Sequence, residues 1–237
     1  MIDIHNHIIF DVDDGSKSLD ESIKYLDEIK SVGIEKVVCT PHINVKHKSS
    51  PLDKIRNNYN ILKEEANKRG IELLLGNEAM YSSNIIDLLN RKEVLTLNNT
   101  KYVLVEFKRN ENMDEENIYN AFSRIIDAGY RPILAHPELY SHYRKMEFVK
   151  KLKNMGVIIQ IDSTSLLMTA PIEIYMFAHK LIKNYLVDIV ATDSHCSKDR
   201  NFRSLYQAYK VVSRKNKGYA DTIFHDNQNE IINSKTQ

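Results

Sequence analysis

Residues 36–42 read Lys-Val-Val-Cys-Thr-Pro-His, a short apolar strand that ends near a histidine. The pattern recurs along the chain, where each short apolar run is followed by an amphipathic stretch. Continuously apolar strands are typical of a parallel sheet that is covered on both faces, with helices packed on the outside. The predicted strands are residues 2–5, 36–40, 71–76, 102–105, 132–135, 157–161 and 188–191.

Apolar residues three or four positions apart predict the connecting helices. The first helix begins with the capping box Ser18-Leu19-Asp20-Glu21, and Gly70, Gly129 and Gly156 follow the last turns of three others. These seven strand–helix units predict an α/β fold, a single distorted (β/α)7 barrel that resembles a TIM barrel. We expect the barrel to span residues 1–215, and residues 216–237 to form a polar C-terminal tail that is extended or frayed.

An open, doubly wound sheet is the competing fold. Its nucleotide-binding versions carry a Gly-x-Gly-x-x-Gly turn or a Gly-x-x-x-x-Gly-Lys loop, and the sequence contains neither.

Composition narrows the class of protein. Among 237 residues, 33 Lys and Arg nearly balance 32 Asp and Glu, which argues against a nucleic-acid partner that is bound through overall basicity. Two cysteines form no disulfide framework and fit a reducing compartment. The sequence shows neither a signal peptide nor an apolar run near the ~20 residues of a membrane helix. We therefore expect a cytoplasmic protein without direct membrane insertion.

Histidines and carboxylates follow six of the seven predicted strands. Catalytic groups gather at the carboxyl ends of barrel strands, and histidines at positions i and i+2 of an extended chain point to the same side. A lone strand-end histidine is usually structural, but core packing does not explain the whole set. The mixture of imidazole and carboxylate suits Mn, Fe or Zn better than Ca or Mg. The candidates are His5, His7, His42, Glu78, Glu106, His136, Asp193 and His195, together with Asp11, Asp13 or Asp14.

These motifs resemble the PHP (polymerase and histidinol phosphatase) superfamily. The resemblance rests on six segments: Asp3-Ile-His5-Asn-His7, Phe10-Asp-Val-Asp-Asp14-Gly15, Thr40-Pro-His42, Gly76-Asn-Glu78, His136-Pro-Glu138 and Asp193-Ser-His195. The opening motif and the His-Pro-Glu segment are more similar to its bacterial capsule and exopolysaccharide tyrosine-phosphatase branch. The resemblance runs from Met1 to about Leu205.

The resemblance implies a seven-fold barrel with three divalent ions, often manganese, although iron or zinc would also fit. It places His5, His7 and Asp193 on the first ion, with Glu78 bridging to the second. Glu106 and His136 complete the second site. The third ion is assigned to Asp14, His42 and His195.

The implied reaction is metal-assisted hydrolysis of a phosphomonoester. Three divalent ions exceed the charge of the four carboxylates, which suits a phosphate dianion. A metal-bound hydroxide at the site formed by His5, His7, Glu78 and Asp193 would attack phosphorus in line. A cysteine-based phosphatase is excluded, because its Cys-x5-Arg motif would need arginine where Val45 and Phe202 stand.

The sequence departs from the branch at two positions where relatives tend to carry arginine, now Met80 and Leu139. Neither side chain can clamp phosphate in a bidentate manner. Arg200 matches a basic position of the branch, and the resemblance assigns it to substrate phosphate. Its alternative is a solvated loop charge. Arg144, Lys108 and Arg109 are candidate substitutes for the missing arginines.

The leading hypothesis is a protein-tyrosine phosphatase that acts on a bacterial tyrosine kinase of capsule or exopolysaccharide synthesis. One alternative is a small-molecule phosphomonoesterase of the histidinol-phosphatase type. The other is a non-catalytic scaffold that the metals stabilise.

Overall fold

The computed structural model describes residues 1–43, 49–108, 114–197 and 200–234. Its strands are β1 (Ile2–Asp3), β2 (Lys36–Cys39), β3 (His42–Ile43), β4 (Glu72–Leu75), β5 (Glu78–Met80), β6 (Tyr102–Glu106), β7 (Arg131–Leu134), β8 (Ile158–Asp162) and β9 (Ile189–Ala191). Its α-helices are α1 (Leu19–Ser31), α2 (Leu52–Lys68), α3 (Ile85–Asn90), α4 (Glu115–Asp127), α5 (Met146–Asn154), α6 (Ile172–Lys183), α7 (Arg203–Ser213), α8 (Lys217–Asp221) and α9 (Asn227–Asn233).

Every pair of neighbouring strands is parallel, in the orders β1-β2-β4 and β3-β5-β6-β7-β8-β9. A parallel bridge joins Asn6 to Ser194, and there the His7 amide donates to the Ser194 carbonyl at 2.8 Å. The sheet is therefore curled, with β1 and β9 side by side. The predicted α/β fold with a parallel sheet is confirmed.

Two predicted strands, 36–40 and 71–76, are each followed by a short strand that the sequence did not predict, β3 and β5. Two residues separate β2 from β3, and two separate β4 from β5. The register is the same on both sides of the break, because Cys39 pairs with Leu75 and His42 pairs with Glu78. Each interruption therefore lies directly before a predicted metal ligand.

The apolar core has two layers. Side chains of a strand alternate between its faces, and along β6 Val103 and Val105 join the cluster that packs against α1–α7. Tyr102 and Leu104 join a second cluster, which contains residues of the other strands and lies inside the curl of the sheet. Most core residues of this inner layer belong to the strands or directly follow them, and Ala135 immediately precedes the predicted ligand His136.

The prediction of an extended or frayed C-terminal tail is wrong. Residues 217–233 form α8, a turn of π-helix (Thr222–Asp226) and α9. Ile231 and Ile232 are buried in the inner cluster, and the Asn98 side chain donates to the Ile232 carbonyl at 2.9 Å. These helices thus cover the end of the curled sheet that lies opposite the predicted ligands.

None of the helices within the described residues is long and apolar enough to span a membrane.

Candidate metal centre

The predicted ligands meet at the carboxyl ends of the strands. His5 and His7 follow β1, Asp193 and His195 follow β9, and His136 follows β7. His42 and Glu78 lie beyond the carboxyl ends of β2 and β4, as the first residues of the short strands β3 and β5. Glu106 is the last residue of β6. Most of these side chains are buried, whereas Asp14 is 38% exposed at the rim. The strand ends therefore deliver a compact group of imidazoles and carboxylates.

The first group lies between β1, β5 and β9. Nε2 of His5 is 3.2 Å from Oε2 of Glu78 and 3.3 Å from Oδ1 of Asp193. Nε2 of His7 is 3.3 Å from the same two oxygens. Two imidazole nitrogens and two carboxylate oxygens thus face a common point.

The second group is centred on Glu78 and differs in part from the implied set. Nδ1 of His42 is 2.9 Å from Oε2 of Glu78 and 3.1 Å from Oε1 of Glu106. Nε2 of His136 lies 2.9 Å from the other Glu78 oxygen, Oε1. Glu106 and His42 therefore lie together near Oε2 of Glu78, although the resemblance had assigned His42 to the third ion.

The third group contains Asp14, whose Oδ1 is 3.5 Å from Nε2 of His42 and 3.3 Å from Nε2 of His195. The other two carboxylates of this loop lie elsewhere. Asp13 approaches Nδ1 of His7 at 2.6 Å, and Asp11 forms an exposed ion pair with Lys54. Of the three carboxylates that the sequence left open, Asp14 is the one that joins imidazoles in this group.

The chemistry of these atoms fits divalent cations. Buried atoms that make no hydrogen bond within the described residues include Nε2 of His5, Nε2 of His7, Oε2 of Glu78 and Oε1 of Glu106. Buried polar atoms are normally hydrogen-bonded, yet these approach one another closely without hydrogen-bond alignment. Ligand atoms about 2.1 Å from one ion lie roughly 3.0–3.4 Å from each other, which matches the spacing of the first group.

Two polar side chains orient the two histidines that follow β1. Nδ1 of His5 lies 2.9 Å from Oε1 of Gln160, and Gln160 in turn donates to Oδ1 of Asp162 at 3.1 Å. Nδ1 of His7 faces Asp13. A proton on each Nδ1 leaves the Nε2 lone pair for a cation. Sequence reasoning missed Gln160, although a polar residue within the apolar run of β8 was its signal.

Neighbouring charges shift the pKa values of several side chains at the site. The His5 and His42 imidazoles hold the pKa of Glu78 well below its usual value, although burial acts in the opposite direction. Burial would lower the pKa of His7, but Asp13 and Glu78 raise it to about 10. Burial opposes the same shift at His42, whose pKa the Glu78 carboxylate raises to about 9. Without a cation these imidazoles hold protons where a cation would bind.

Two residues of the site have left-handed backbone conformations, His136 with φ of 35° and Asp193 with φ of 46°. Residues other than glycine rarely adopt this conformation, and it clusters at functional sites. It turns the chain sharply after β7 and β9, so that each side chain enters the group.

Arg200 lies beside the cluster, because its guanidinium forms an ion pair with Oδ2 of Asp193. Met80 and Leu139, at the positions where the resemblance led us to expect arginine, are half-buried. Two of the three candidate substitutes lie within the described residues. Arg144 pairs with Glu173 at 3.3 Å and Lys108 is exposed, while Arg109 lies outside the described residues.

Known proteins are similar to this chain in both sequence and fold. The family described as "Capsular polysaccharide synthesis, CpsB/CapC" matches residues 1–233. The tyrosine-protein phosphatase CpsB of Streptococcus agalactiae serotype III (strain NEM316) is 36% identical over 244 aligned residues, which cover 98% of each chain.

The structural comparisons agree. A crystal structure from work on YwqE of Bacillus subtilis and CpsB of Streptococcus pneumoniae, described as metal-dependent tyrosine phosphatases, superposes with a TM-score of 0.90 at 27% identity. It covers 100% of this chain and 96% of that one. A phosphotriesterase of Mycobacterium tuberculosis shares the fold, with a TM-score of 0.64 at 10% identity, over 98% of this chain and 93% of its own.

Proposed function

The chain belongs to the CpsB/CapC family of capsular polysaccharide synthesis, and we propose that it is a metal-dependent protein-tyrosine phosphatase. The observation that carries the proposal is the convergence of His5, His7, Glu78 and Asp193 on one point. The facing Nε2 atoms of His5 and His7 and Oε2 of Glu78 are buried and make no hydrogen bond within the described residues. Relatives named tyrosine-protein phosphatases match nearly the whole chain. Enzyme class and site geometry therefore agree.

The proposed scaffold is a closed barrel of seven strands. It counts β2 with β3 as one strand and β4 with β5 as another. The constant register across both interruptions supports this count, and the bridge between Asn6 and Ser194 supports closure.

The proposed cofactor is three divalent ions, manganese in the first instance. His5, His7, Glu78 and Asp193 would hold the first, and Asp14, His42 and His195 the third. Glu78 and Glu106 would hold the second with His136, while the distances also bring His42 to this position. When bound, such ions supply Lewis-acid stabilisation of phosphoryl oxygens and lower the pKa of water.

The chain's own residues would prepare the reaction. Gln160 and Asp13 fix the tautomers of His5 and His7, so that both Nε2 atoms face inward. Asp193 holds the Arg200 guanidinium at the edge of the cluster, where it would bind an equatorial phosphate oxygen. Met80 and Leu139, where the resemblance led us to expect arginine, would add no positive charge to phosphate binding.

The proposed substrate is phosphotyrosine on a protein, and we infer that this protein is a bacterial tyrosine kinase of capsule or exopolysaccharide synthesis. The family context supports this role. A cytoplasmic location is supported by two buried cysteines that are free thiols, as is usual in reducing compartments.

A kinetic assay tests the proposal. The protein, purified without chelator, would be assayed on a phosphotyrosine peptide and on histidinol phosphate, with and without added Mn²⁺. We expect Mn²⁺-dependent turnover that favours the peptide. His136→Ala should abolish it in a folded protein, whereas the exposed His142→Ala should not. Preference for histidinol phosphate would reassign the substrate, and metal binding without turnover would favour the scaffold hypothesis.

A further inference from the structure

A second recessed surface lies away from the metal ligands, between α6, the end of α7 and α8. It is an open groove of about 1000 Å³. One end is formed by the segment after His136, which carries Ser141 and Arg144, and by the first turn of α6 with Glu173. The other end is formed by Tyr185 and Tyr219, whose ring centroids are 4.9 Å apart and whose ring planes are inclined at 61°. The groove therefore leads from the mouth of the barrel down its side.

The groove has an apolar floor that water reaches. Met176 and Tyr185 are each 61% exposed, and Phe177 and Val212 lie beneath them. Next to its upper end, Ile172 is 69% exposed on the same helix. Exposed apolar side chains that lie together, rimmed by polar ones, commonly mark an interaction surface.

The rim of the groove is cationic. Arg144, Lys180, Lys183 and Lys215 line it, and Glu173 is the only carboxylate among the described lining residues. Glu173 is paired with Arg144, while no carboxylate of the described residues lies within ion-pair distance of the three lysines. The described lining residues thus carry four basic side chains and one carboxylate, a local excess of positive charge in a chain whose formal net charge is only +1.

We propose that this groove binds an acidic segment of the phosphotyrosine protein, at a distance from the phosphotyrosine itself. The proposal rests on the proposed function for the identity of the substrate. Carboxylates of the segment would pair with the lysines, and its apolar side chains would cover Met176 and Tyr185. An elongated groove that runs from the mouth of the barrel to an aromatic end suits an extended peptide better than a flat lipid surface. Such docking would add affinity to the substrate without contact to the reacting atoms.

The test compares three substrates that differ only in what reaches the groove. One peptide carries a phosphotyrosine followed by alternating Glu and Leu, and a matched peptide carries Gln in place of Glu. The third substrate is a small aryl phosphate. The variant is Lys180→Glu/Lys183→Glu/Lys215→Glu, and its control is Lys30→Glu/Lys92→Glu/Lys101→Glu, which reverses three exposed lysines outside the groove.

We expect the groove variant to raise KM for the acidic peptide about tenfold, because rim charges act mainly on association. Its kcat/KM for the aryl phosphate and the Gln peptide should stay unchanged, and the control should leave all three substrates unaffected. Added salt should weaken binding of the acidic peptide selectively. An equal KM for both peptides in the unmodified protein, or the same loss in the control variant, would overturn the proposal.

A binding measurement that requires no turnover tests the docking groove separately from the proposed phosphatase activity. Fluorescence anisotropy with the unphosphorylated acidic peptide measures docking even if no substrate is turned over. Loss of that binding in the groove variant alone would support docking. Binding of phosphatidylserine vesicles that the variant loses, with both peptides bound equally, would assign the groove to lipid and contradict the proposal.

Discussion

The carbonyl oxygen of His7 lies 2.1 Å from the point at which a Cβ atom on Gly15 would stand, and the His7 Cβ lies 2.4 Å from it. No side chain fits in this space. The loop after β1 turns back onto His7, where the Ser16 amide donates to the same carbonyl at 3.1 Å. Gly15 therefore allows the carboxylates of the loop to reach the histidines.

Gly15→Ala should displace His7 and with it the first group of ligands. We expect kcat/KM to fall by about 100-fold, since shifts near 1 Å at a catalytic group have effects of this size, together with a lower metal content. Gly218→Ala is the matched control, because a Cβ there would have its nearest contact at an ordinary 3.7 Å. Full activity of Gly15→Ala would show that the close contact does not position His7.

Asp13→Asn should weaken metal binding although Asp13 lies behind the ligand. The carboxylate accepts a hydrogen bond from Nδ1 of His7 and from the backbone amides of Gly15 and His42. Loss of such an outer partner typically lowers metal affinity by about 10–100-fold. Competition with a fluorescent chelator measures the change. Asp11→Asn, in the same loop but exposed, should have no effect, and equal effects of both substitutions would refute the distinction.

Metal binding should release protons. The pKa of His7 is raised to about 10 and that of His42 to about 9 in the cation-free protein, because carboxylates stabilise their charged forms despite burial. Both imidazoles are therefore protonated at neutral pH, and a cation must displace those protons. Apparent Mn²⁺ affinity should rise with pH up to about 9 to 10. Calorimetry in two buffers of different ionisation enthalpy gives the number released, and identical heats would contradict the expectation.

The same pKa shifts determine how the stability of the cation-free fold depends on pH. A pKa raised above its unfolded value of about 6.5 contributes stability that is fully present below that pH. This contribution is lost as pH rises through about 9 to 10.

The C-terminal helices should be needed for stability. Ile231→Ala and Ile232→Ala each remove a buried side chain from the inner cluster, and each should lower the free energy of unfolding by about 2–5 kcal/mol. Deletion of residues 216–237 should leave a chain that aggregates or unfolds. Thermal denaturation measures both effects, with the exposed Glu230→Ala as control. A stable truncated protein would favour the domain boundary that the sequence indicated at residue 215.

Thiol reagents should leave activity intact. Cys39 is fully buried and Cys196 is 6% exposed, and burial raises the pKa of both thiols above the usual value. Each therefore stays protonated and unreactive at neutral pH. Iodoacetamide applied to the native protein should neither modify these residues nor slow turnover, which mass spectrometry and rate measurements can establish. Inactivation that parallels labelling of Cys196 would point to a role for the thiol.

The strands and most ligand positions could be predicted because both follow from the residues of a short stretch of sequence. A run such as Tyr102–Val105 is apolar on every residue, and the carboxylate of Glu106 follows directly. The residues alone left Asp11, Asp13 and Asp14 open, and only the family resemblance pointed to Asp14. A loop has no periodicity, and only its return to His7 separates the three. The short strands β3 and β5 were missed for a related reason, since two or three residues carry no pattern of their own.

The C-terminal helices were missed because their apolar residues occur in adjacent pairs. Ile223 with Phe224, and Ile231 with Ile232, are separated by polar residues such as Gln228. A π-helical turn within the segment shifts the helical phase, so no single period of 3.6 residues connects the pairs. Their burial depends on the inner cavity of the curled sheet, which the segment itself does not encode.

The left-handed backbones of His136 and Asp193 place a stability–function trade-off at two identifiable positions. Glycine would relieve a conformational cost of about 1–2 kcal/mol at each, but it would also delete the imidazole or the carboxylate. Selection for a more stable fold and selection for a working site therefore oppose each other at the same two residues. Glycine at either position would therefore be expected in a variant that was selected for stability alone.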